Sequence, residues 1–140
     1  MNFEDRSIVV TGGLGELGLA IAEALAARAA RVTLLDRVDP GEAVAKLCAA
    51  GHRAFGVRAD IAREDEVRAA IGACAEHWGG IDGLVNNAAA FAGFKPAEAT
   101  SVAEWDQMLA VDVRGTFLCV REALPHLKAS GRGRIVNIGS

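Results

Sequence analysis

One stretch constrains this chain more than any other: Ser7 to Gly18, SIVVTGGLGELG. A short apolar run, Ile8-Val9-Val10, meets Thr11-Gly12-Gly13, then Gly15 and Gly18, and a helix-like run starts at Leu19. Strand, glycine-rich turn and helix in that order form a phosphate cradle. A tight turn needs residues without a Cβ, close backbone approach needs the same, and the N–H groups of a helix N-terminus attract an anion. Gly13, Gly15 and Gly18 also spell G-x-G-x-x-G, the dinucleotide-binding pattern. The expected cofactor contacts of this loop are Gly12, Gly13, Gly15, Glu16, Leu17 and Gly18.

The rest of the chain repeats the theme. Strand-like runs occupy Ser7–Thr11, Arg31–Asp36, Arg53–Asp60, Asp82–Asn86 and Arg134–Gly139. They are short, apolar and bounded by turn or charged residues, as strands covered on both faces are. Helix-like stretches lie between them, near Gly15–Ala29, Gly41–Ala50, Arg63–Trp78 and Ser101–Ser130. Ser101 with Glu104 predicts a capping box, while Gly115 and Pro125 are the weak points of the last helix. Alternating β and α elements require right-handed crossovers and a parallel sheet between helix layers. The expected fold is a doubly wound α/β sheet of Rossmann type, five strands in order 3-2-1-4-5, forming one domain over residues 1–140. The long irregular piece, about Ala88–Thr100, follows the fourth strand and falls at the carboxyl edge, where open α/β sheets bind ligands.

Asp36 ends the second strand, 18 residues after Gly18. An acid there accepts hydrogen bonds from ribose hydroxyls and repels a 2′-phosphate, which favours NAD over NADP. Arg37 beside it could accommodate that phosphate or stack on adenine. The net charge of −3 and the lack of a basic block argue against nucleic acid as a partner. No apolar run approaches the roughly 20 residues that span a bilayer. The polar N-terminus MNFEDRS lacks the features of a signal peptide, so a cytoplasmic location is expected. Cys48, Cys74 and Cys119 read as small buried thiols of a reducing compartment, and neither they nor His52, His77 and His126 have ligand spacing, so no metal site is expected. Trp78 and Trp105 read as packing residues, and Phe91 and Phe94 as loop anchors or substrate contacts.

These residues together resemble the short-chain dehydrogenase/reductase family. The landmarks run in order: Thr11–Gly18, Asp36, Asp60-Ile61, Asn86-Asn87-Ala88-Ala89, Val111–Thr116 and Gly133–Ser140. The resemblance implies an oxidoreductase that moves hydride between NAD(H) and a small alcohol or ketone. It implies that Asp60 and Ile61 meet adenine, that Asn87, Ala88 and Ala89 line the path of the nicotinamide-side ribose, and that Ser140 hydrogen-bonds the substrate oxygen. It also implies a homo-oligomer through the 101–130 helix. The family's proton donor is a tyrosine in Tyr-x-x-x-Lys, needed because hydride transfer at carbon must be matched by proton transfer at oxygen. This chain has no tyrosine, and Lys46, Lys95 and Lys128 lie outside such a context. It therefore reads as a Rossmann portion incomplete at its C-terminus, inactive alone. A non-catalytic or partner-dependent dinucleotide module is the alternative.

Three further departures bear on chemistry. TGGLGELG fits the T-G-x-x-G-x-x-G of the extended, epimerase-like branch, whereas the other landmarks follow the single-domain branch. Asn-Asn-Ala-Ala replaces the usual Asn-Asn-Ala-Gly. Asp112 stands where the family usually has a proton-relay asparagine, and an ionised acid accepts but cannot donate. Glu16 is the sharpest physical question. In a first helical turn an acid contributes roughly 0.3–1 kcal/mol. Facing a pyrophosphate charge about 6 Å away it costs on the order of 3 kcal/mol at an effective dielectric near 20. Pointed into the cleft it weakens binding roughly a hundredfold; pointed to solvent it does almost nothing.

Overall fold

The computed structural model describes residues 3–139. Along the chain run β1 (Ser7–Thr11), α1 (Glu16–Ala26), β2 (Arg31–Asp36), α2 (Gly41–Ala49), β3 (Arg53–Arg58) and α3 (Glu64–Trp78). Then come β4 (Gly83–Asn86), α4 (Val102–Met108), α5 (Thr116–Ala129) and β5 (Arg134–Asn137). The five strands form one parallel sheet in the order β3-β2-β1-β4-β5, the order expected of a Rossmann-type sheet. β1 lies at the centre, with Val9 opposite Thr33 on one side and Leu84 on the other.

Successive side chains of a strand point to opposite faces, so a central strand feeds two cores. Val9 joins Leu35, Ile71, Cys74, Leu84, Leu118 and Cys119 under α3 and α5. Ile8 and Val10 join Ala22, Val32, Leu34 and Leu47 under α1 and α2. That is why β1, β2 and β4 are apolar without alternation. The edge strands differ from the expectation of burial on both faces. β3 is only half-buried and β5 is exposed along its length, because each has one strand neighbour and less helix cover. Both are also shorter than their apolar runs, ending at Arg58 and Asn137.

The 101–130 stretch is not one α-helix. The predicted capping box is present: the Glu104 N–H donates to Ser101 Oγ while the Glu104 carboxylate accepts from the Ser101 N–H. A π-helical segment, Leu109–Gly115, then separates α4 from α5. Gly115 closes it at a crowded point, where a Cβ would come within 2.8 Å of the Ile61 side chain. Pro125 lies inside α5, which continues to Ala129.

Three packing expectations are corrected. Trp105 is 57% exposed and packs into neither core, whereas Trp78 is half-buried, with its indole N–H donating to Thr33 Oγ1 at 2.9 Å. Cys48 is exposed, while Cys74 and Cys119 are buried as expected. Phe91 and Phe94 contact each other edge-on but are 68% and 100% exposed, so they do not anchor their loop by burial. No helix among the described residues is long and apolar enough to cross a membrane.

Candidate functional site

The carboxyl ends of β1, β2 and β4 open into a cavity of about 580 Å³. That size suits a small-molecule ligand. Parallel strands deliver all their carboxyl ends to one edge, and the loops that leave them converge there. Gly12, Gly15, Glu16, Leu17 and Gly18 contribute the turn after β1, and Asp36 and Arg37 the end of β2. Asp60 and Ile61 follow β3, and Asn87, Ala88 and Ala89 follow β4. Twelve expected contacts, scattered over the sequence, thus line one cavity. Gly13 does not; it is buried behind the turn, where a Cβ would sit 3.0 Å from Leu34 Cα.

The glycines of the turn serve different ends. Gly12 has φ +62°, and a Cβ there would lie 2.8 Å from Ala88 Cα. Gly18 is buried, and its Cβ would stand 2.1 Å from the Gly12 carbonyl oxygen. Gly15 is under neither constraint: its φ is −67° and its nearest neighbour would be 3.5 Å away. The space a side chain would take at Gly15 is at the cavity. Among the described residues no side chain caps α1, whose first intrahelical bond runs from the Leu19 N–H to the Gly15 carbonyl. The N–H groups that precede it belong to the cavity-lining residues Glu16, Leu17 and Gly18, which suits an anionic ligand.

A hydrogen-bond clamp sets the geometry. Thr11 is buried at the end of β1, and its hydroxyl donates to the Val85 carbonyl at 3.4 Å. The same oxygen accepts from the N–H groups of Asn87 and Ala88 at 3.0 and 3.1 Å. The Asn87 amide donates back to the Thr11 and Gly12 carbonyls, both at 3.1 Å. Thr11 was not among the expected site residues; its place beside Gly12 in the motif was the available signal.

Asp36 does more than face the cavity. Its carboxylate accepts from the Leu14 N–H at 3.1 Å and the Val38 N–H at 3.1 Å, tying the glycine turn to the end of β2. Asp60 accepts from the Ala62 N–H at 2.9 Å, while its own N–H donates to the Glu66 carboxylate at 2.8 Å. Asp112 lies in the π segment, outside the cavity lining, and accepts from the Ala90 N–H at 2.7 Å. It holds the start of the 88–100 loop as an acceptor, the role open to an ionised acid. Lys95 in that loop pairs with Glu104, and this contact with the Ser101 hydrogen bonds holds the Glu104 carboxyl at about 2. Ala90, Phe91, Gln107 and Val111 also line the cavity; Val111 opens the Val111–Thr116 landmark, whereas Gln107 carries no motif that would have marked it. Ser140 lies outside the described residues. Among the described residues no three His, Cys, Asp or Glu side chains gather to hold a metal ion.

The sequence profile of the short chain dehydrogenases matches residues 6–140. This chain belongs to the short-chain dehydrogenase family. It is 40% identical over 139 residues to cis-4-hydroxycyclohexanecarboxylate dehydrogenase of Sinomonas cyclohexanicum, covering 99% of this chain and 56% of that protein. It is 42% identical over 140 residues to 2-(R)-hydroxypropyl-CoM dehydrogenase of Xanthobacter autotrophicus, covering 96% of this chain and 56% of the relative. The crystal structure of levodione reductase superposes with a TM-score of 0.91 at 34% identity, over 99% of this chain and 55% of that one. The chain therefore spans about half the length of these short-chain dehydrogenase relatives.

Proposed function

We propose that this fold is the dinucleotide-binding portion of an oxidoreductase that transfers hydride between NAD(H) and the hydroxyl or carbonyl group of a small molecule. The observation that carries the reading is the single cavity uniting the glycine turn, Asp36, Asp60-Ile61 and Asn87–Ala89. Two relatives support the substrate class, being named as dehydrogenases of hydroxy compounds. When bound, the dinucleotide would supply the hydride acceptor or donor, and this chain's residues would bind and orient it.

In this reading the α1 N-terminus and the open space at Gly15 hold the pyrophosphate. Asp36, still having free lone pairs beyond its two backbone bonds, accepts from ribose hydroxyls and repels a 2′-phosphate. Asp60 and Ile61 border adenine, and Asn87, Ala88 and Ala89 border the second ribose. Ser140 would hold the substrate oxygen, and Asp112 holds the start of the 88–100 loop through the Ala90 N–H. The chain has no tyrosine to move a proton at that oxygen, so we read the 140 residues alone as a binder without turnover.

A partner-dependent form of the same module is favoured by two surfaces. Ile135, Val136 and Ile138 are exposed on and beside β5, and Trp105, Leu109, Val113 and Phe117 form an exposed apolar stripe along α4, the π segment and α5. The stripe supports a homo-oligomer through the 101–130 helix. Calorimetric titration with NAD and NADP tests the main reading. NAD is expected to bind more tightly than NADP, and binding of neither would overturn it.

A further inference from the structure

Among the described residues, three acids line the cavity, Glu16, Asp36 and Asp60, against one cation, Arg37. Two of the acids are engaged by backbone. Asp36 accepts from the Leu14 and Val38 N–H groups, and Asp60 accepts from the Ala62 N–H. Glu16 is different. It is exposed, lines the cavity beside Gly15 and Gly18, and makes no side-chain hydrogen bond or ion pair with the described residues. No Lys or Arg lies between Thr11 and Gly18 to offset it. The loop thus offers backbone N–H groups to an anion while holding an uncompensated carboxylate at the same end of α1.

We propose that Glu16 is an electrostatic selector of this site: it weakens the hold on the pyrophosphate while leaving the adenosine end untouched. The assignment rests on the dinucleotide reading. Repulsion between unit charges several ångströms apart is long-ranged and sensitive to salt, whereas adenine and ribose contacts are short-ranged. Glu16 therefore lowers affinity for NAD most at low ionic strength. It also tilts the site toward adenosine ligands without a charged linkage.

The test is titration of the 140-residue chain, wild type against Glu16→Gln and Glu16→Gly, with NAD and with adenosine, at about 0.01 M and 1 M salt. Glu23→Gln serves as the control, because Glu23 is an exposed acid on the same helix that lines a different groove. Both Glu16 substitutions are expected to tighten NAD by on the order of tenfold or more at low salt, with the gain shrinking at high salt. Adenosine affinity should move by less than about twofold, since a neutral ligand does not feel the charge. Equal NAD affinity in wild type and Glu16→Gln would overturn the proposal. So would equal tightening in Glu23→Gln, which would trace the effect to net charge alone. NAD binding to the Glu16 variants but not to the wild type would support it most strongly. Absence of NAD binding in every form, low salt included, would overturn the dinucleotide reading itself and this assignment with it.

Discussion

Alanine at Gly18 and at Gly15 should have opposite consequences, although the two glycines stand three residues apart in one turn. At Gly18 a Cβ would lie 2.1 Å from the Gly12 carbonyl oxygen, 2.7 Å from Asn87 Nδ2 and 2.9 Å from the Gly12 carbonyl carbon. Two of these neighbours are backbone, so the turn itself must move. Overpacking of this kind costs about 1–3 kcal/mol. The shift also disturbs the two Asn87 amide hydrogen bonds to Thr11 and Gly12, each contributing about 1 kcal/mol. Gly18→Ala is therefore expected to destabilise the fold by about 3–5 kcal/mol. With a urea m-value near 2 kcal/mol/M, the midpoint falls by about 2 M. Gly15→Ala meets nothing closer than 3.5 Å at an ordinary φ of −67° and should unfold within about 0.5 kcal/mol of wild type. It should nonetheless weaken NAD binding, because its methyl group occupies space left for the ligand. Urea titration followed by circular dichroism, with NAD calorimetry on Gly15→Ala, measures both. A Gly18→Ala midpoint equal to that of wild type would refute the steric argument. Undiminished NAD binding by Gly15→Ala would refute the division of roles.

Two other outcomes are expected. Asp82 accepts from the Ser7 N–H and from the Nε–H and Nη2–H of Arg132, joining the starts of β1 and β5. Burial opposes its ionisation, but these hydrogen bonds and the Arg132 charge outweigh burial and hold the carboxyl below its usual 3.8. A lowered folded-state value gives stability that is complete above the unfolded value and is lost as pH falls through the folded one. Asp82→Asn should therefore cost about 2 kcal/mol near neutral pH and flatten the acid limb of an unfolding-against-pH curve, and an unchanged acid limb would sink the assignment. One of the three thiols should react with a disulfide reagent in the native chain, namely Cys48. Burial pushes Cys74 up to about 11 and Cys119 up to about 12, so both should stay silent until denaturant is added; rapid reaction of two or three thiols would contradict this packing.

The strands and helices were readable because their signals are local. The β1 run and its turn are read off twelve consecutive residues, and the Ser101–Glu104 capping box off four. The edge strands were less legible. Ile135 and Val136 are as apolar as Val9 and Val10, and only the neighbours in space leave the first pair exposed. Trp105 illustrates the same limit: its helix was expected, but which face of it packs depends on the path taken through the π segment.

The sequence by itself determined the alternation of elements, and through its motifs the Rossmann-type strand order and most of the residues that converge at the carboxyl edge. Periodicity and turn chemistry act over a few residues; alternation makes the sheet parallel, and the glycine-turn motif selects the Rossmann order. Only the tertiary structure decided what those residues do to one another. The Thr11 hydroxyl holds the Asn87 N–H across 76 positions, Asp36 reaches back 22 to Leu14, and Asp112 holds Ala90. It also separated Gly18, crowded by backbone, from Gly15, open to the cavity. Letters in a motif do not reveal distances between distant segments, and a glycine's role depends on what lies within about 4 Å of its missing side chain.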